Sequence, residues 1–422
     1  MPEPASPNPA APEGLAALLR QRAFVLFWAS RFLTVLAAQA QGVTIAWQVY
    51  ELARRNAGVE QSALMLGLIG LAQFLPLFAL SLFAGDTADR HDRRSIIVIC
   101  LLVEIICVSA LAIMTRLGAA SFAPIFALAV VFGAARAFFN PASTAMAPML
   151  VPRPLMPRAI AWNSLSWQAA SIAGPAVGGL LCAISPAVSY GVIAAIYLVS
   201  ILCVLPVRAH IPQVRQTASR ILLMKEGLTF VWRQKIIFGS ISLDLVAVLL
   251  GGATALLPVF ARDILHVGPQ GFGVLRSAPA WGAALVAIYL GSRPIRRRAG
   301  LAMFSGVAVF GAATLVFALS KSMLLSALAL VALGAGDMIS VFVRQSLVQI
   351  VTPDAMRGRV AAVSTLFIGA SNELGEFESG VAARLLGPIG AAVFGGIGAL
   401  VATGLWARLF PDLRKADRLT GA

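Results

Sequence analysis

Apolar residues gather in this chain into runs of about twenty, separated by short polar stretches. A helix needs about twenty apolar residues to cross a bilayer core, and windows of that length predict twelve spanning helices. The first six cover roughly 24–50, 62–84, 95–115, 122–145, 161–184 and 187–207. The second six cover roughly 237–261, 271–290, 300–319, 323–347, 361–383 and 388–407. A longer polar segment rich in Arg and Lys separates the two sets. The pattern predicts an all-α membrane protein of two six-helix bundles, at 24–207 and 237–409. A disordered tail at 1–23, a linker at 208–236 and a second tail at 410–422 complete it.

Composition narrows the class. The chain is 422 residues long, 59% hydrophobic and 12% charged, with a mean hydropathy of +0.86. A soluble domain carries about 25% charged residues, so this chain has too few polar groups to cover a water-facing surface of its size. A cytosolic enzyme and a disordered chain are both excluded. His91, His210 and His266 lie far apart, and Cys100, Cys107, Cys182 and Cys203 sit in apolar runs, so no metal-ligand spacing occurs. There is no phosphate-binding GxxxxGK[ST] loop and no catalytic constellation, which predicts a non-enzyme without ATP or a bound cofactor. Residues 1–19 are Pro/Ala-rich and lack a basic stretch leading into an apolar one, unlike a cleavable signal peptide.

The net charge of +15 is topological. With the N-terminus in the cytoplasm, 23 of the 33 Lys and Arg fall in cytoplasmic segments, six on the other side and four inside spans. This positive-inside bias places both termini in the cytoplasm and the basic residues against anionic lipid headgroups. Nucleic acid is not the expected partner.

Six spans plus six suggest an internal repeat. Sliding the chain on itself by 201 residues places Gly133 on Gly334, Arg136 on Asp337, Pro152 on Pro353, Gly174 on Gly375 and Gly179 on Gly380. The offset lays span 4 on span 10 and span 5 on span 11. The copies point the same way and are related by an axis along the membrane normal.

The span 2–3 loop reads Gly85-Asp-Thr-Ala-Asp89-Arg90-His-Asp92-Arg93-Arg94. It predicts a tight turn with a carboxylate among guanidiniums, Asp89 capping a helix start and pairing with the arginines. This run resembles motif A of the major facilitator superfamily, with Asp92 where that family usually has glycine. The resemblance implies that Gly85, Asp89, Arg90, Arg93 and Arg94 form the gating motif, Asp89 tying the halves together when the carrier faces outward. The second-half loop, with Arg296 to Arg298, has lost the aspartate. Gly174-Pro175-Ala-Val-Gly178-Gly179 reads as a close-packed, bent helix with small residues at an interface. It also resembles the end of motif C, which marks exporters of the antiporter type, although Ala170 stands where the upstream glycine is expected. Ala29 to Phe32 and Thr352-Pro-Asp-Ala-Met356-Arg-Gly-Arg359 extend the resemblance to the siderophore-exporter and drug:proton antiporter branches.

Ten charged residues fall inside predicted spans: Arg31, Glu104, Arg136, Asp244, Arg276, Asp337, Arg344, Glu373, Glu376 and Glu378. Each costs at least about 2.5 kcal/mol at the bilayer centre, so each should face a cavity or a partner. Glu373 and Glu376, at i and i+3, share a helix face, and Glu378 points away. Like-charge repulsion and desolvation favour a proton on at least one. These acids either carry a coupling proton or lock one conformation through an ion pair. Asp244 and Arg136 join Glu373 and Glu376 as the expected coupling residues, Arg136 by analogy with a span-4 arginine of the family. Arg31, Arg276, Asp337, Arg344, Asn372 and Glu378 are the expected cavity residues. Asp337 and Arg344, about 10 Å apart along one helix, each need a different partner. Glu104 is expected to be structural, because span 3 usually packs outside the cavity of this fold. Trp47 is expected to anchor at the interface, and Trp167 to lie deeper.

The expected protein is a twelve-helix secondary transporter working by alternating access. It would be a monomer of the bacterial inner membrane, using the proton gradient to export a siderophore-like metabolite or drug. A proton-coupled importer, a lipid flippase and a non-transporting sensor are the alternatives.

Overall fold

A computed structural model describes residues 15–207, 220–293, 295, 297–353 and 356–417. Residues 1–14, 208–219 and 418–422 of the expected tails and linker lie outside the described residues, as do Arg296, Asp354 and Ala355. The first half contains α1 (Arg22–Asn56), α2 (Val59–Arg90), α3 (Arg93–Arg116), α4 (Phe122–Met146), α5 (Met156–Ile184) and α6 (Pro186–Val204). The second half contains α7 (Lys235–Leu250), α8 (Gly268–Ser292), α9 (Ala299–Leu319) and α10 (Met323–Val351). A continuous helical stretch, Arg357–Leu409, ends it. Eleven stretches of the described residues are long and apolar enough to cross a membrane. The last, Phe367–Leu409, has 43 residues. At 1.5 Å per residue it is about 65 Å long, twice the hydrocarbon thickness. It breaks at Gly387, whose φ is +75°, just before Pro388. Glycine alone adopts that backbone cheaply, and proline opens a new helix. The stretch is therefore two antiparallel crossings, α11 (357–386) and α12 (388–409).

The outward surface is that of a protein in lipid. Ile106, Leu117, Ile184, Ile288 and Leu385 are each about two-thirds or more exposed. Such an apolar girdle is stable only against hydrocarbon.

The parts outside the spans are more ordered than the sequence predicts. Leu15–Leu19 of the expected tail is helical, and Leu18 is fully buried in the first-half core. Arg220–Arg233 of the expected linker is a helix packed on the start of α11, where Glu226 pairs with Arg359 at 2.5 Å. At the other tail, Leu413 is fully buried, and Asp417 accepts a hydrogen bond from the Arg298 N–H at 2.8 Å. Amphipathic segments as short as these carry no readable periodicity, so tertiary contact alone orders them.

Helix crossings show the repeat as geometry. Gly133 lies against the Gln73 carbonyl and Pro76, setting α4 on α2; Gly334 lies against Pro279, setting α10 on α8. Gly174 meets Leu36 and Gln39 of α1, and its repeat mate Gly375 meets Val248 and Leu249 of α7. Gly179 packs on Gly273 of α8 across the two halves. Its mate Gly380 packs on Gly67 of α2, again across the halves. Between transmembrane helices such close backbone approach replaces the hydrophobic drive that water supplies elsewhere.

These two glycine crossings, α5 on α8 and α2 on α11, lie toward the end of the bundle that carries the α1–α2 and α7–α8 turns. Trp47 stacks on Phe272 at 6.1 Å there, joining α1 to α8. Trp47 is 7% exposed, so it is a contact between halves and not the interfacial anchor expected from its place near a span end. The halves are thus closed against each other at this end.

A methyl group at Gly179 would sit 2.6 Å from the Pro269 carbonyl, and one at Gly380 would sit 2.9 Å from the Gly67 Cα. Overpacking of this kind costs about 1–3 kcal/mol. Gly179→Ala and Gly380→Ala should each lower the thermal midpoint of the purified protein. Gly191→Ala, where a methyl meets nothing within 4 Å, should not.

Candidate functional site

A cavity of about 290 Å³ opens between the halves. It is unevenly built: α1 to α6 all contribute, whereas the second half supplies Thr254, Ala255, Pro258, Phe272, Arg276, Glu373 and Glu376. Five charged side chains line it: Glu104, Arg136, Arg276, Glu373 and Glu376. Gln39, Gln41, Gln73 and Asn140 add polar surface, and Phe139, Trp167 and Tyr197 add aromatic surface.

Arg276 binds Glu376 at 3.3 Å and donates to the Thr254 carbonyl at 3.1 Å. The second contact follows from a break in α7. Gly251 and Gly252 end that helix, and the chain continues through a tight 3-10 turn, Ala253–Leu256. A methyl on Gly252 would strike the Gly375 carbonyl and the Ser379 hydroxyl, so glycine lets α7 and α11 touch there. The Thr254 carbonyl already accepts from the Leu257 N–H within that turn, and the Arg276 guanidinium takes its second lone pair while holding Glu376.

Glu373 lies one turn from Glu376 on the same wall, as their spacing requires. It makes no ion pair within 4 Å among the described residues. Arg136 and Arg276 are within its electrostatic reach. Arg136 reaches from α4 toward both Glu373 and Glu104. Glu378 is off the cavity wall.

Several expected cavity residues lie elsewhere. Asp244 and Arg344 pair at 3.3 Å between α7 and α10, with side chains 7% and 2% exposed, and Asp337 is within electrostatic reach of both. None of the three lines the cavity described. The physical reason is that α7 and α10 turn these side chains toward each other inside one bundle, where opposite charges neutralise. Asn372 is exposed one turn before Glu376 and is not a lining residue, and Arg31 lies on α1 one turn before Thr34, where the lining residues of that helix start. Glu104, expected to be structural, is instead a cavity residue, 6% exposed.

Motif A also differs in detail. Gly85 to Arg90 are helical, in the last turns of α2. Asp92, not Asp89, caps α3, accepting from Arg94 N at 3.3 Å and Ser95 N at 3.2 Å. A cap must stand just before its helix, and the chain turns only at His91 and Asp92. Asp89 lies 3.9 Å from Arg93, Arg90 pairs with Asp86 at 2.9 Å, and Arg93 also donates to the Ala88 carbonyl. In α5, Gly174 and Gly178 pack on α1, while Pro175 and Gly179 pack on α8.

Two groups of polar contacts escaped sequence reading. One is a ladder between α1 and α6. Ser30 and Thr34 bond Ser200, Thr44 bonds Ser189, and the Tyr197 and Tyr190 hydroxyls donate to Gln41 and Gln48. The spacing 30, 34, 41, 44, 48 is a helical stripe, which was the available signal. The other group closes the α1–α2 end. Arg54 binds Asp263 at 3.2 Å, Tyr50 donates to the same carboxylate, and Arg262 binds Glu51 at 2.9 Å. Each half supplies one acid and one base, so the two ion pairs run in opposite senses across the interface.

The transmembrane secretion effector model, a major facilitator family, matches residues 13–420. The chain belongs to this family. Among curated proteins it is similar to the enterobactin exporter EntS of Citrobacter koseri, 26% identical over 404 residues and 95% of each chain. EntS of Shigella boydii serotype 18 is 27% identical over 390 residues, 92% of this chain and 88% of that one. Among solved structures, a POT family transporter in complex with 5-aminolevulinic acid superposes with a TM-score of 0.74 at 12% identity, over 93% of this chain and 96% of that one. A D-xylose-proton symporter gives 0.68 at 13% identity, over 94% and 99%. These structures share the major facilitator fold. The chain is therefore a multi-pass membrane transporter of that superfamily.

Two outcomes follow from the ion pairs. Arg344→Met strands the buried Asp244 carboxylate and should destabilise the protein by roughly 3–5 kcal/mol. Adding Asp244→Leu should recover most of that loss, as read by unfolding in detergent. Arg54→Asp should raise maleimide labelling, from the α1–α2 side, of a cysteine introduced at Ala46 in the cavity wall of a cysteine-free background. Combining it with Asp263→Arg should restore protection.

Proposed function

We propose that this transporter is a proton-coupled exporter of a small polar metabolite, of which a siderophore is the leading class. Glu373 carries the reading: it is a cavity carboxylate with no ion pair of its own, one turn from the Arg276–Glu376 pair. A carboxylate so placed takes a proton readily when water withdraws and releases it when water or a cation returns. Glu376 is held by Arg276 and is the less free of the two acids. A donor group of the cargo binds the ionised Glu373 carboxylate and is released when a proton takes its place, so proton and cargo exclude each other, as export against an inward proton flow requires.

The bias of basic residues supports an orientation with both termini in the cytoplasm. In that orientation the closed α1–α2 end faces outward and the structure is the cytoplasm-facing state, ready to load cargo from inside. Loading from inside is what an exporter requires. The export direction and the siderophore class also draw support from the relatives named as enterobactin exporters.

Enterobactin flux in proteoliposomes, driven by an imposed pH gradient, tests the reading. The expected result is gradient-dependent export that falls at least tenfold in Glu373→Gln while the protein stays folded. Flux of the parent protein that ignores the gradient would overturn proton coupling. If the parent moves no enterobactin, mass-spectrometric comparison of medium and cell extract, with and without the gene, identifies the metabolite that accumulates inside.

A further inference from the structure

Glu104 is the cavity acid that the mechanism above leaves unused. It stands on α3, 6% exposed, and its Oε2 has no hydrogen-bond partner and no contact with solvent. The charged and titratable groups around it come from every helix that packs on this part of α3. Arg136 faces it from α4, Tyr197 from α6, and Cys100 and Cys107 flank it on α3 itself. From α1, the Gln41 side chain lies close enough to act on its carboxyl, and the Gln41 carbonyl accepts from Tyr197 at 2.8 Å. That bond orients the Gln41 amide group, since its carbonyl is committed to the tyrosine and its N–H₂ is left for the Glu104 side.

A carboxylate oxygen cut off from water is costly unless it carries a proton or meets a donor. Gln41 brings an N–H₂ group near it, and Arg136 supplies charge without an ion pair among the described residues. Arg136 is exposed to the cavity and answers to two acids, Glu104 of the first half and Glu373 of the second. One guanidinium neutralises one carboxylate, so the second acid in its reach is the one that takes a proton.

We propose that Glu104 is a second proton-carrying carboxylate of the cavity and shares Arg136 with Glu373. The proton leaves Glu104 for cavity water, and the carboxylate left behind competes with Glu373 for Arg136. The exchange moves one proton and makes or breaks no other covalent bond. It gives each half of the transporter one titrating acid. The proposal rests on the proton-coupled reading of the cavity for its purpose, and its test is independent of flux.

The test is infrared difference spectroscopy of the full chain reconstituted in lipid, taken between acid and alkaline buffer, with the proton as the probe. A protonated carboxylic acid shows its own C=O stretch, which disappears on deprotonation. Glu104→Gln should remove one component of that signal, Glu373→Gln a different one, and Glu104→Asp should keep a component at a shifted frequency. A Glu104→Gln spectrum identical to that of the parent would overturn the proposal and leave Glu104 as a fixed hydrogen-bond acceptor. Should Glu104→Gln fail to fold, Glu104→Asp decides: a shifted component supports the assignment and an unshifted spectrum overturns it. Gradient-independent flux alongside a Glu104-dependent signal would sink the coupling mechanism alone; gradient-driven flux without that signal would sink this assignment alone.

Discussion

A carboxylate far from water must find a cation, a hydrogen-bond donor or a proton, and the interior of this transporter is arranged by that requirement. Each solution appears at a different depth. Asp244 takes the first, a buried pair with Arg344 that faces no cavity. Glu376 takes the same solution at the cavity wall, where its Arg276 partner also donates to the Thr254 carbonyl in the turn beyond the broken α7. Glu104 has the Gln41 amide nearby and one oxygen buried without a partner. Glu373 has neither donor nor ion pair among the described residues. The series runs from fully compensated to uncompensated, and the uncompensated end lies in the cavity. Charge that is settled stabilises a bundle; charge that is not settled is free to respond to a ligand or a proton.

The second organising constraint is close helix approach. Without water between helices, backbones must come near enough for dispersion to hold them, and only glycine allows that. The four crossings at Gly174, Gly375, Gly179 and Gly380 occur as two symmetry-related pairs. One pair sits within a half and the other between halves. The same small-residue device therefore builds each bundle and closes one end of the molecule. The difference lies in what accompanies it. Between halves, the glycine contacts are joined by ion pairs at Arg54–Asp263 and Glu51–Arg262, which water can separate. Within the first half, the hydroxyl and amide ladder of α1 and α6 is buried from solvent and has no reason to open.

The apolar runs made the spans legible, because the bilayer sets their length, and the glycine spacing made the repeat legible, because the same crossing recurs. The pairing of Glu373 with Glu376 on one face followed from helical geometry. What could not be read was direction around the helix axis for a lone charge. Glu104, Asp337 and Arg344 each sit in an apolar run with no periodic neighbour to say which way they point. Prior expectation about the fold put the first outside the cavity and the other two inside, and packing reversed all three. The Asp89 cap failed for another reason: α2 extends one turn further than its apolar residues do, so the polar end of a helix read as a loop. Arg54 and Arg262 were counted only as charges on one side of the membrane, since nothing local indicates that residues 209 or 211 positions apart will meet.

The place where the repeat departs from symmetry is where the two constraints meet. Pro175 and Glu376 are equivalent positions, flanked by equivalent glycines. In α5 the proline carbonyl rests near Gly273 of α8; in α11 the Glu376 carbonyl rests near Gly67 of α2. The backbone of Glu376 is therefore part of the crossing that closes the molecule, and its side chain is part of the cavity. Gly70, one turn further along α2, leaves room for the Glu376 carboxylate, which a methyl there would approach to 3.1 Å. Any change in the charge or partner of Glu376 acts on a residue already wedged between the halves. A rigid helix carries that displacement to Gly380 within about 6 Å, since four residues rise 1.5 Å each. Chemistry and closure need no long path between them, because one turn of α11 contains both.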